Sequence, residues 1–504
     1  MEARSHSLAM IYLYLNKHER MGKFIRYFLL AALLFLIGIL VFNTSKKSEP
    51  DNSVAIEKIP FAGDSAVFHM SRAIQIKTVS KGDTLPIDTA EFVAFRQFLE
   101  ISYPLIHRQL KRQVFNEFSY LYEWKGKDSS LAPWVLMAHQ DVVPVEGAAE
   151  KNWTVPSFGG IIKNDTIWGR GAVDDKSSLV AIMEAVEKLL QQGFVPARTI
   201  YLAFGHDEEV AGRRGARAIS TWMREQKIRP ALVLDEGGQI DTEHFKDLGR
   251  PVAIIATGEK GYTNIDLSVE IPGGHSSMPS QETAIDVLNK AIAAVREKQM
   301  PGTITPVVEE MIRRTNAPGP FLKRMVTQNL WLTTPLVKWE MEKSKETNAL
   351  IHTTLVPTIV QAGIKDNVIP TFAKATFNSR ILQGQTSDDV LAFVKKEVND
   401  ERVVITKQTK SLIEPSPMTS FQDPAFAQLE NIFKKAVPGV VVSPFLMIGA
   451  SDARYFRDFS EAVLNFSAIQ NMKGFHGIDE RIGIKDLDRM IWFYQELLRT
   501  PAKK

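Results

Sequence analysis

The chain contains no cysteine. That excludes a disulfide scaffold, a thiolate zinc finger and a cysteine nucleophile. It leaves the compartment open, because a domain of ordinary size folds without disulfides wherever it is made. A strong charge of either sign is also missing: 61 Lys+Arg face 58 Asp+Glu across 504 residues, for a formal net charge of +3. Residues 1–50 hold seven Lys/Arg against three Asp/Glu. The small excess therefore belongs to a basic leader and not to a nucleic-acid-binding face, and no nucleic-acid partner is expected. Internal repeats and low-complexity tracts are absent. With 44% hydrophobic and 24% charged residues, the composition excludes a disordered chain, a collagen-like repeat and a multi-span membrane protein.

Long apolar runs are scarce too, and the single one is informative. Phe24 to Phe42 reads FIRYFLLAALLFLIGILVF, broken only by Arg26. At about 1.5 Å per helical residue this run covers a hydrocarbon core of about 30 Å. A core helix of a soluble protein would carry a polar stripe, and this segment has none. The run is longer than a usual signal-peptide core, and NTSKK after it is a poor cleavage site. The expectation is a retained signal anchor at 24–43, preceded by a basic segment at 1–23 and followed by a polar stalk at 44–64. Arg4, Lys17, Arg20, Lys23 and Arg26 precede the span, against Lys46 and Lys47 behind it. That bias puts the N-terminus in the cytosol and the bulk of a single-pass protein outside it, in a periplasm, a vacuolar lumen or the cell exterior.

Short apolar runs then alternate with amphipathic stretches. Trp134–His139, Thr199–Gly205 and Ala231–Asp235 read as strands, and Lys176–Gln192 and Arg214–Gln226 as helices. Strand, helix, strand, helix argues an α/β fold with a doubly wound sheet, whose functional groups lie at the carboxyl ends of strands. After Thr257 the pattern changes to βαββαβ, a ferredoxin-like order. We expect a catalytic domain in two parts, 65–257 and 412–504, interrupted by a second domain at 258–411. An apolar insert at 300–350 within that second domain suggests a cover, an oligomer contact or membrane apposition.

Four clusters fall at the expected strand ends. His139-Gln-Asp141 places a carboxylate on the same side of an extended segment as the imidazole, able to accept its second N–H. Asp174-Asp175 follows a glycine-rich loop and either bridges cations or caps the next helix. His206-Asp207-Glu208-Glu209 gathers adjacent carboxylates, which repel unless solvated or beside a cation. Asp235-Glu236 follows a buried strand. One such cluster means little; four together point to a metal site.

In the stretches MAHQDVVP, WGRGAVDDK, GHDEEVAGRRGA, LDEGG, GGHSSMP, DNVIP, FNSRI and FHGIDERI, in that order over about residues 66 to 490, the chain resembles the aminoacylase and carboxypeptidase family of co-catalytic di-zinc peptidases. Within it, the anchor, HDEE, DEGG and IATGEKG look most like the carboxypeptidase S and N-fatty-acyl-amino-acid hydrolase branch. The resemblance implies two Zn²⁺ per chain, with Mn²⁺ or Co²⁺ as substitutes. His139 and Asp235 would bind one ion, Glu209 and His476 the other, and Asp174 both. Asp141 would orient His139, and Glu208 would be the general base on a water between the ions. His275 would stabilise the oxyanion; Asn367, Arg380 and Ser451 would contact the substrate, with GAS at 449–451 departing from the commoner GGT. The Asp174–Asp175 peptide is expected to be cis. The second domain would act as a lid and as the contact of a homodimer. The implied activity is amide hydrolysis of N-acyl amino acids or small peptides with a free carboxylate, as a dipeptide carboxypeptidase or an N-fatty-acyl-amino-acid synthase/hydrolase. A catalytically silent anchored binding protein is the rival, and it would be expected to lack one of these side chains.

Overall fold

The structure, a computed structural model, describes residues 2–45, 57–82, 85–409 and 412–501. Residues 46–56, most of the expected stalk, lie outside the described residues. The chain opens with one helix, α1 (Glu2–Ser45), which contains the whole apolar run. Within it, residues 23–45 are long and apolar enough to cross a membrane. The side chains of Phe24, Phe28, Leu34 and Phe35 are exposed.

After helices at Asp64–Gln75, Thr89–Ser102 and Pro104–Gln109 come a hairpin of β1 (Lys111–Phe115) and β2 (Ser119–Trp124), then β3 (Trp134–His139), α2 (Lys176–Gln191), β4 (Ile200–Gly205) and β5 (Leu232–Asp235). β3, β4 and β5 are buried along their whole length. β6 (Gln239–Asp241) and β7 (Val252–Glu259) follow. The chain then leaves this sheet and returns to it with β12 (Val441–Met447) and β13 (Val463–Asn465).

The nine strands run in the order β1-β2-β4-β3-β5-β13-β7-β12, with β6 beside β7. The middle of the sheet is parallel: β3 pairs with β4 and β5, and β5 with β13. Parallel strands are covered on both faces, which is why WVLMAH has no polar alternation. Successive side chains point to opposite faces. Leu136 and Ala138 therefore enter one core with α2, while Val135 and Met137 enter another with Ile219, Met223 and Phe456.

The excursion between β7 and β12 builds a second sheet. β8 (Gly261–Glu270) alternates buried and half-buried residues and leads to α3 (Ala284–Glu297). Four helices follow: α4 (Pro306–Asn316), α5 (Phe321–Thr327), α6 (Leu330–Met341) and α7 (Lys345–Ile351). β9 (Thr354–Ala362), β10 (Phe372–Ile381), α8 (Ser387–Val398) and β11 (Val403–Lys407) complete it, with the sheet ordered β9-β10-β8-β11. Reciprocal capping boxes start both sheet-covering helices, Thr283 with Asp286 and Thr386 with Asp389; each satisfies backbone donors that the first turn would otherwise orphan. The apolar insert at 300–350 is thus helical. Its buried side joins Val307, Met311, Leu330 and Ile351 to Leu446 of β12. α9 (Ile484–Arg499) closes the chain against α2.

Candidate metal centre

Two groups of metal-ligating side chains lie at the carboxyl edge of the parallel strands, and they share one aspartate. His139, Asp174 and Glu236 form one; Asp174, Glu209 and His476 form the other. His139 is the last residue of β3, Glu209 sits on the short turn after β4, Glu236 follows β5, and Asp174 lies one residue before Asp175, the N-cap of α2. Asp174 Oδ1 is 2.8 Å from His139 Nε2, and its Oδ2 is 2.8 Å from His476 Nε2. Glu236 Oε1 lies 3.4 Å from His139 Nε2, and Glu209 Oε2 lies 3.3 Å from His476 Nε2. Each oxygen of Asp174 thus addresses a different imidazole.

The loops that present these groups are pinned by other carboxylates. His139 Nδ1 donates to the Asp141 carbonyl oxygen at 2.9 Å, which puts the proton on Nδ1 and leaves the Nε2 lone pair for the centre. The Asp141 side chain lies 3.3 Å from the same nitrogen and also accepts the backbone N–H groups of Glu208 and Glu209. Asp141 therefore orients the imidazole and the Glu208–Glu209 turn together. Glu480, buried among them, accepts N–H groups of Gly171, Val173 and Asp174 and pairs with Arg170 at 2.7 Å. Gly171 has φ +85°, and a Cβ there would fall 2.8 Å from Val142; this turn requires glycine. The Asp174–Asp175 peptide is cis.

These residues fit a pair of divalent cations. With the Nδ1 proton of His139 engaged, its Nε2 and the oxygens of Asp174 and Glu236 are all acceptors, and acceptors within hydrogen-bond distance need a proton or a cation between them. Glu209 Oε1 is buried without a hydrogen-bond partner, and an uncompensated buried charge costs several kcal/mol. Among the described residues, a retained proton is the available remedy. Asp174 and Glu209 push the His476 imidazole up to about 10. His139 is also raised, with Glu236 and Asp174 outweighing burial. An N/O donor set of imidazole and carboxylate suits zinc.

Asp235, expected as a ligand, accepts the Ala453 N–H through Oδ2 at 2.8 Å, and Glu236 lies beside His139. Asp235 ends β5 in register with Asn465 of β13, so the adjacent residue points to the opposite side, and its longer side chain reaches the imidazole. Ser451, expected to contact the substrate, is fully buried and bonds through its hydroxyl to Glu259 at 2.8 Å and to Asn465. Three residues further on, Arg454 enters the cleft, with Nη1 3.4 Å from Glu208 Oε1. His206 contacts Ser119 Oγ at 2.6 Å among Phe92 and Phe118 and plays a packing role.

Beside the centre opens a cavity of about 710 Å³. Glu208 and Glu209 line it with Tyr262, Arg380, Arg454 and Tyr455. The Arg380 guanidinium lies 4.9 Å from the centroid of the Tyr262 ring. Burial pushes the Glu208 carboxyl up to about 8, with Arg454 pulling the other way. His275 and Asn367 do not reach this cavity. They sit together on an exposed two-residue ribbon, in which His275 faces Val368 and Asn367 accepts the Ser276 N–H. Glu480 was legible only as a member of FHGIDERI, and Arg454 only as the third residue after GAS at 449–451; nothing in their spacing distinguished them from ordinary ion-pairing residues.

A covered parallel sheet, carrying two histidine–carboxylate groups joined through one aspartate at its carboxyl edge, defines a metallopeptidase-type hydrolase. The chain belongs to peptidase family M20/M25/M40, which it matches over residues 135–500, and it acts on amide bonds. It is 37% identical over 496 residues to a probable carboxypeptidase S-like 2 of Dictyostelium discoideum, covering 95% of this chain and 94% of that one. It is 35% identical over 442 residues to the human N-fatty-acyl-amino acid synthase/hydrolase PM20D1, covering 85% and 86%. Among solved structures, an M20 family metallo-carboxypeptidase from Sulfolobus solfataricus superposes with a TM-score of 0.63 at 19% identity, over 86% of this chain and 99% of the other.

Proposed function

We propose that the chain is a membrane-anchored, zinc-dependent amidohydrolase that cleaves the amide joining an acyl group, or an N-terminal residue, to an amino acid with a free carboxylate. The observation that carries this reading is Asp174, whose two oxygens each lie 2.8 Å from a different imidazole. His139 and Glu236 would hold one zinc ion, His476 and Glu209 the other, with Asp174 shared. When bound, the ions would supply Lewis acidity toward the scissile carbonyl and make water acidic enough to attack at neutral pH. Glu208 lines the cavity beside the centre; its carboxylate takes the proton of the attacking water and returns it to the leaving nitrogen. Arg380 and Arg454 face the same cavity, and a planar guanidinium suits the bidentate grip of a substrate carboxylate.

Residues 258–411 form the lid and the homodimer contact, and residues 65–257 with 412–504 form the catalytic unit. Two observations support a dimer in which His275 and Asn367 serve the partner's cavity: neither lines the cavity of its own chain, and Val356, Ile359 and Val360 of edge strand β9 are exposed. The anchor at 24–43 holds the catalytic unit on the extracytoplasmic side.

The test is hydrolysis by zinc-loaded protein of a long-chain N-acyl amino acid beside a glycine-containing dipeptide. Turnover of the first alone assigns the acyl branch, and of the second alone the dipeptide branch. Glu208→Ala should keep its zinc and lose about 10²–10⁴ in kcat. A fully metallated parent that cleaves neither substrate defeats the proposal.

A further inference from the structure

The helices of the apolar insert carry a second apolar face that the core does not use. α6 buries Leu330, Val337 and Met341. Its other side exposes Trp331, Leu332, Leu336 and Trp339, and the start of α5 exposes Phe321 and Leu322, the last 70% accessible. Such a patch on a soluble surface marks something that covers it.

The cover is indicated by where α1 is fixed. The last turn of α1 ends on Asn329, the residue between α5 and α6. Asn329 is fully buried, accepts from Asn43 Nδ2 at 3.0 Å, and approaches Leu40 O and Thr44 Oγ1 at 3.3 and 3.4 Å. Arg324 of α5 donates to Thr44 O at 3.2 Å. The bond from Arg324 satisfies a carbonyl that a helix end leaves without a partner. Together these bonds leave no spacer, since Asn43 directly follows Phe42, the last residue of the apolar run. Whatever plane the end of that run occupies, Asn329 and Arg324 occupy it too. At about 1.5 Å per residue, Trp339 lies only about 15 Å along α6 from Asn329, and Phe321 and Leu322 flank the junction on its other side. Lys343 holds its ammonium 3.5 Å from the Trp339 ring centroid, and this combination of indole and lysine suits the boundary between acyl chains and headgroups.

We propose that the exposed face of α5 and α6 lies in the interface of the same bilayer that α1 crosses. The body is then seated on the membrane surface and not tethered above it. The proposal rests on the reading of α1 as an anchor. It also gives the insert a role in substrate supply: a lipid-like acyl donor dissolved in the leaflet is held beside the enzyme and need not enter water.

Because the chain has no cysteine, single nitroxide labels can be placed cleanly. Phe28→Cys, Leu332→Cys and Leu336→Cys, made in the full chain in phosphatidylcholine vesicles, are compared for collision with dissolved oxygen, which concentrates in lipid, and with a water-soluble nickel chelate. The expected result is that all three labels favour oxygen, positions 332 and 336 more shallowly than 28, with hydrolysis within about twofold of the parent certifying the fold. Position 28 in lipid with 332 and 336 in water overturns the seating and leaves the anchor standing. All three in water overturns both. Labels 332 and 336 shielded from both reagents reveal a protein partner and overturn the seating. As a second measurement, lipids brominated near the headgroup should quench the parent's tryptophan emission, and Trp331→Phe/Trp339→Phe should lose most of that quenching; equal quenching in the two proteins counts against the seating.

Discussion

Asp235 and Glu236 are neighbours in sequence and opposites in space. One is spent on the Ala453 backbone, the other faces His139. This separation gives a sharp expectation: Asp235→Asn should retain two zinc ions per chain, whereas Glu236→Gln should retain one firmly bound ion, read by elemental analysis after dialysis. One ion in Asp235→Asn with two in Glu236→Gln would return the ligand role to Asp235. The pair also shows where sequence reasoning runs out. A strand end ranks carboxylates by position, yet which of two consecutive side chains faces the centre depends on the register of β5 against β13, and that register is a tertiary fact. Ser451 meets the same limit. Its motif was legible, but a small hydroxyl fits a buried network as well as a cleft, and Glu259, Arg457 and Asn465 supply such a network here.

Among the elements, the loop before α2 bears the most. Glu480 comes from the far end of the chain and accepts three of this loop's N–H groups, so the position of Asp174 depends on a residue some 300 positions away. Glu480→Gln keeps the shape but removes the charge and trades an acceptor oxygen for a donor. Zinc affinity should fall about 10- to 100-fold, as for other supports of metal ligands, with thermal stability in excess zinc close to the parent's. Unchanged affinity in a competition titration with a chelator would show that the loop holds itself. Strands and helices near the centre were readable because apolar runs and caps are local signals: β3 is Trp134–His139 as the pattern indicates, and α2 ends one residue before the expected Gln192. The insert was readable only as apolar. Its four helices are delimited by Pro306, Pro320 and the Ser344 cap, and in α6 two apolar faces cancel the periodicity that would announce an amphipathic helix.

For the whole molecule, the groups proposed for catalysis divide into those gathered around Asp174 and those left outside on the ribbon of His275. If the partner subunit supplies the latter, mixing a His275→Ala protein with a Glu208→Ala protein and allowing subunit exchange should restore part of the activity that neither retains alone. No recovery, with exchange verified, would place His275 over its own cavity through lid closure. The account as a whole depends on one aspartate shared by two ions. The most direct measurement is anomalous diffraction at the zinc edge from zinc-loaded crystals. The account predicts two peaks about 3.5–4 Å apart, one beside His139 and Glu236, one beside His476 and Glu209, with the Asp174 carboxylate between them. A single peak, or two peaks that do not flank Asp174, would contradict it.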